Sequence, residues 1–276
     1  MYKRTRLNWI DSIKCFAIIL VILGHLIQFI YYPITFDQNY IFRYIYSFHM
    51  PLFMAISGIL SGINYNTTSL FKEIKKKAKQ LLLPFLSWTL ISVLIGKDTF
   101  INYIKYPDHG FWFLWCLFFI HIAYRITIII SKYLKIHFLA FLIIYSFIYL
   151  FSIRLNGLFG GFLIAKYYFY YMIGVYLSKS KYFTYFTNNI LNKHYVILCI
   201  FIFFFLAFFW KRLEFSFTFF ELNFYNDFFD VLYKTLTAFI GIISTIFLFQ
   251  KIKIQNKIVK YIGQRTLAIY VIHFSL

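Results

Sequence analysis

W-I-D-S-I-K-C-F-A-I-I-L-V-I-L-G-H, residues Trp9 to His25, opens an apolar run that continues to about Ile30. A helix needs about 20 apolar residues, at 1.5 Å of rise each, to cross the hydrocarbon core of a bilayer. The run is too long for a typical signal-peptide core, and no small-residue cleavage site follows it. It reads as a retained first membrane span. Asp11, Lys14 and His25 are the side chains in it that ionise. At about 100° per residue, the path from Lys14 to His25 turns through roughly 1100°, three turns plus about 20°. The two residues therefore share one face, and Asp11, one turn before Lys14, joins the stripe. The rise between Lys14 and His25 is roughly 16 Å. A cation thus sits near one end of the span and a titratable base lies deeper on the same side. Ionisable groups inside a membrane are costly and are functional candidates by default.

The rest of the chain supports a polytopic reading. It is 62% hydrophobic with 39 Phe, and its mean hydropathy is +0.72. A soluble domain averages about 45–50% apolar residues. Nine apolar segments can be drawn, at roughly 10–31, 41–63, 81–96, 112–130, 138–153, 162–178, 195–210, 231–250 and 262–276. The expected fold is an all-α transmembrane bundle of about nine spans. With the N-terminus inside and loops alternating, seventeen Lys and Arg fall on the inner side. Five fall outside: Lys97, Lys105, Arg154, Lys211 and Arg212. This is the positive-inside bias of membrane proteins, and it accounts for the formal charge of +19. A nucleic-acid partner is excluded because those charges lie between spans. Cys15, Cys116 and Cys199 sit in apolar runs at spacings that fit neither a disulfide pair nor a metal site. No metal constellation and no linker are visible, so residues 1–276 read as one integral-membrane domain.

Further polar features recur along the chain. The second segment contains S-F-H-M-P-L-F-M-A-I-S-G, and counting from the inner edge puts His49 at a depth similar to that of His25. Pro51 kinks this helix, and Ser57-Gly58 lets a neighbouring backbone approach. The following loop reads K-E-I-K-K-K-A-K-Q-L-L-L-P. It serves either as a positive-inside anchor or as a phosphate clamp facing the cytosol. Residues 211–230 form the longest outer stretch, mixing Lys211, Arg212, Glu214, Glu221, Asp227 and Asp230 with Phe and Tyr. It is either a sugar contact or an ordinary solvated loop. The chain closes on Y-I-G-Q-R-T-L-A-I-Y-V-I-H-F-S-L.

A lysine, ten residues and a histidine in the first span, preceded by an acid, resemble the signature of the acyltransferase-3 family. H-M-P-L-F followed by S-G, the W-F-L element at Trp112, and L-A-I-Y-V-I-H near the end are also similar to that family. The likeness is to its fucose 4-O-acetylase-like branch. It implies a multi-pass enzyme of the bacterial cytoplasmic membrane that moves acetyl from acetyl-CoA to a sugar hydroxyl of a surface polysaccharide or its lipid-linked precursor. Acetyl-CoA is then a donor substrate, with no bound cofactor, and the partners are that donor, a glycan acceptor and the bilayer. The resemblance makes His25 and Asp11 the candidate catalytic residues. Lys14 and the basic pair Lys76 and Lys79, where arginines are usual, become the candidate acyl-CoA contacts. His49, Ser57 and Gly58 become substrate or supporting residues. Members usually continue past the late histidine, whereas this chain ends three residues after His273, so a C-terminally short domain is expected. A polysaccharide flippase or polymerase, or an inactive truncated homologue, are the rival readings.

Overall fold

The computed structural model describes residues 8–63, 69–109, 111–179, 193–213, 223–252, 254 and 256–275. Lys3, Arg4, Arg6, Lys181 and Lys253 among the counted cations, and Glu214 and Glu221 of the mixed-charge stretch, lie outside these residues. Among the described residues there are helices and turns but no strand. That is the expected outcome where no water can satisfy backbone groups within a segment. In chain order the α-helices are α1 (Asn8–His25), α2 (Tyr40–Tyr46), α3 (His49–Ile63), α4 (Leu70–Lys77), α5 (Leu83–Leu94), α6 (Phe100–Lys105), α7 (Trp112–Leu134), α8 (His137–Arg154), α9 (Gly161–Lys179), α10 (Lys193–Phe209), α11 (Asn223–Ile252), α12 (Lys257–Gln264) and α13 (Thr266–Ser275).

Six stretches among the described residues are long and apolar enough to cross a membrane: Asn8–Tyr31, Tyr40–Ile63, Trp112–Leu134, His137–Arg154, Leu158–Lys179 and Asp227–Ile252. The other three expected segments are helical but shorter. They are α5 with the π turn Ala78–Leu82 before it, α10, and a last segment split between α12 and α13. The chain is an all-α polytopic bundle. One boundary moves substantially: α11 begins at Asn223, so the back of the stretch expected to be a loop over 211–230 is helix. Phe228, three residues before Val231, extends the apolar pattern at helical spacing. Asp230 meets Lys234 one turn on at 2.6 Å.

The helices gather into two compact units. The first comprises residues 1–56 and 180–270. Within it α1 lies along α12, and α10 packs on α11. Gly263 of α12 meets α1 so closely that an added Cβ would run into the carbonyl of Asp11. Phe16 of α1 packs on Phe249 of α11 with ring centroids 5.3 Å apart. Tyr40 of α2 stacks on Phe208 of α10 at 4.8 Å. The second unit comprises residues 57–179 and 271–276, with α7, α8 and α9 packed against one another. Gly58 and Gly62, one turn apart on α3, face α9. A Cβ at Gly58 would collide with the carbonyl of Tyr171, and one at Gly62 with the side chain of Ser178. Small residues at this spacing let two membrane helices approach backbone to backbone. The close approach expected at Ser57-Gly58 is made by Gly58.

Candidate active site

The backbone of α1 is regular from Asn8 to His25, so the helical count that aligned Lys14 with His25 applies along its whole length. Asp11 is buried, whereas Lys14 and His25 are half-buried. Directly after His25 the helix widens into a π turn over Leu26–Tyr31. Such turns are rare and concentrate at functional sites. This one carries Phe29, whose ring stands edge-on to His25 at 5.5 Å, and Gln28.

The second imidazole is delivered by a break in the second span. Pro51 has no N–H, and its ring crowds the carbonyl four residues back, which is that of Ser47. The helix gives way there: α2 stops at Tyr46 and α3 starts at His49. The Ile45 carbonyl then accepts from the Phe48 amide at 3.3 Å and meets His49 Nδ1 at 2.8 Å. A carbonyl can only accept, so Nδ1 carries the hydrogen. In the neutral ring, Nε2 keeps the lone pair. His49 is only 2% exposed.

Tyr46 lies between His49 and the end of α1. Its ring stands edge-on to His49 at 4.8 Å. It also lies against Gly24, where an added Cβ would be 2.7 Å from Tyr46 Cε2. Having only hydrogen at position 24 lets the ring in against α1. The Tyr46 hydroxyl donates to Gln28 Oε1 at 2.6 Å. His25 and Arg212 both lie within electrostatic range of His49. The guanidinium of Arg212 donates through Nη1 to Gln28 Oε1 at 2.9 Å and rests 5.1 Å from the centre of the Tyr46 ring. His25, Gln28, Tyr46, His49 and Arg212 thus form one cluster inside the first unit. It contains two nitrogen bases, a phenol and a fixed cation, the groups an acyl transfer to a hydroxyl uses.

A family model described as an acyltransferase domain matches residues 7–276. The chain belongs to the acyltransferase-3 family. The chain is also similar to two curated relatives, each called nodulation protein NolL. One, from Mesorhizobium japonicum, is 39% identical over 128 residues, covering 42% of this chain and 34% of that protein. The other, from Sinorhizobium fredii, is 36% identical over 119 residues, covering 39% of this chain and 32% of that protein. The matched part spans about a third of the length of either relative. No solved structure matches.

The remaining expected residues are spread more widely. Lys14 and Asp11 lie towards the start of α1, with the Asp11 backbone under Gly263. Lys76 lies in the last turn of α4 and Lys79 falls in the π turn Ala78–Leu82, and both are exposed in the second unit. A change from α to π geometry separates them, so their three-residue spacing is not that of one uniform helix. Ser57 is half-buried, and Gly58 is a packing residue.

A polar network in the second unit escapes the sequence reading. Glu73 of α4 reaches His121 Nε2 of α7 at 2.8 Å through Oε1. Its Oε2 stands 3.1 Å from Arg125 Nε, close enough for an ion pair without the alignment of a hydrogen bond. His121 Nδ1 meets the Tyr171 hydroxyl at 3.1 Å, and Tyr171 donates to Ser61 Oγ at 2.7 Å. His121 and Arg125 are one turn apart in an apolar segment, a signal that the sequence contains. Glu73 is the lone acid in a basic helix. Nothing local announces that the two meet.

Proposed function

We propose that this acyltransferase transfers acetyl from acetyl-CoA to a sugar hydroxyl of a surface polysaccharide or its lipid-linked precursor, in the bacterial cytoplasmic membrane. It would stand in the fucose 4-O-acetylase-like branch that H-M-P-L-F and S-G resemble. The observation that carries this reading is the gathering of His49, Tyr46, Gln28 and Arg212 at the end of α1 that carries His25, with His25 within electrostatic range of His49, in a chain of this family. His25 acts as the base that takes the proton of the acceptor hydroxyl. His49, with its Nδ1 hydrogen committed to Ile45, offers Nε2 to orient the acceptor or His25.

The donor enters from the cytosol, where the positive-inside bias puts the basic loops. Lys14, with Asp11 beside it, meets the phosphates of CoA. The roughly 16 Å of helix between Lys14 and His25 matches the reach of an extended pantetheine arm. Lys76 and Lys79 are further candidate phosphate contacts, point charges without the two-pronged grip of arginine.

The test is incorporation of radiolabelled acetyl from acetyl-CoA into glycan by membranes that contain the chain, beside membranes that lack it. Label above the background of empty membranes is the expected result. Acetyl-CoA left unconsumed with glycan acceptors supplied would contradict the reading and favour a transporter or an inactive homologue.

A further inference from the structure

Arg212 follows α10 in a stretch that the sequence leaves open between a sugar contact and a solvated loop, and it is built into the cluster around Gln28 and Tyr46. Asp37, in the turn after the first span, clamps the backbone there. Its Oδ1 accepts from the Arg212 amide at 2.7 Å, and its Oδ2 accepts from the amides of Arg212 and Leu213 at 3.0 and 2.9 Å. Arg43 secures both sides of the clamp, donating from Nε to the Asp37 carbonyl at 2.6 Å and from Nη1 to the Phe208 carbonyl at 3.0 Å.

With its backbone held, Arg212 directs its guanidinium onto Gln28 and the Tyr46 ring. Gln28 is three residues after His25, and Tyr46 three before His49. No carboxylate among the described residues sits on that guanidinium: Asp37 is engaged with the backbone amides instead. Its charge is held in place by neutral groups, and its field reaches His49 alongside that of His25. A preorganised cation beside a base is what stabilises charge that appears only in a transition state.

We infer that Arg212 is a further catalytic residue, the group that takes the negative charge developing on the carbonyl oxygen during acyl transfer. This rests on the function proposed above. In the step, the acceptor oxygen forms a bond to the carbonyl carbon while its proton passes to His25. The carbonyl π pair moves onto oxygen, beside the guanidinium. When the tetrahedral species collapses, that pair re-forms the carbonyl and the C–S bond breaks. The CoA thiolate leaves and takes the proton back from the imidazolium. The planar fork of arginine keeps Gln28 on one edge and has N–H groups left for the oxyanion.

The experiment measures thiol release from acetyl-CoA by the full chain, with p-nitrophenyl fucoside as an uncharged acceptor probe, at matched membrane abundance. Arg212→Gln and Arg212→Ala should lower kcat about 10²–10³-fold with the KM values for both substrates nearly unchanged. Arg212→Lys should recover part of that loss, and added ethylguanidine should partly restore Arg212→Ala, an effect that a purely structural role would not produce. An unchanged kcat, or a rise only in the KM for the acceptor, would overturn the assignment while leaving the acyltransferase reading intact. A wild-type chain that releases no thiol would remove both.

Discussion

The proton on His49 is placed by the backbone rather than by a side-chain partner, because the Pro51 break turns the Ile45 carbonyl towards the ring. A site that uses Nε2 should therefore be sensitive to its loss. His49→Ala is expected to lower acetyl transfer about 10–100-fold, the usual cost of removing a group that orients its neighbours; transfer at the wild-type rate would exclude such a role. Two glycines make a sharper contrast at the same scale. Gly24 faces a ring that can turn, whereas Gly58 faces the main-chain carbonyl of Tyr171. Overpacking a close contact costs about 1–3 kcal/mol, and more where the neighbour cannot move. Gly58→Ala should thus lower the Tm of the detergent-solubilised protein more than Gly24→Ala. Equal shifts would mean that the α3–α9 contact yields as readily as a side chain.

Among elements, the short basic helix α4 is tied to α7 by Glu73, which pairs with His121 and Arg125. Removing one partner of a buried pair leaves the other charge uncompensated, at a cost of about 3–5 kcal/mol. Glu73 is 21% exposed, so the lower end is expected here. Glu73→Gln should destabilise the protein in thermal unfolding, and adding Arg125→Met should restore much of the loss. A double variant as unstable as the sum of the single ones would show that the pair is not coupled. This network also marks where sequence reading stops. The α1 helix and the alignment of Lys14 with His25 were legible because they depend only on the period of one helix. The π turn after His25 was not, since its register is set by what packs against it. The Glu73 pair and the seat of Arg212 join residues distant in sequence, and the mixed charges of 211–230 concealed the apolar stripe that starts α11 at Asn223.

For the molecule as a whole, the bias of seventeen cations against five under alternating loops is a statement about orientation. A fluorescent protein fused before Met1, or inserted within 180–192, should fluoresce, and alkaline phosphatase at the same points should stay inactive. The reverse pattern would invert the membrane orientation and remove the cytosolic donor from the account. The central claim, however, is that the histidine eleven residues beyond Lys14 is the base of an acyl transfer. It is tested most directly by His25→Ala beside wild type at matched membrane abundance, following radiolabelled acetyl from acetyl-CoA into glycan. The account predicts label in the wild type and its loss in the variant. Equal labelling by both would contradict it.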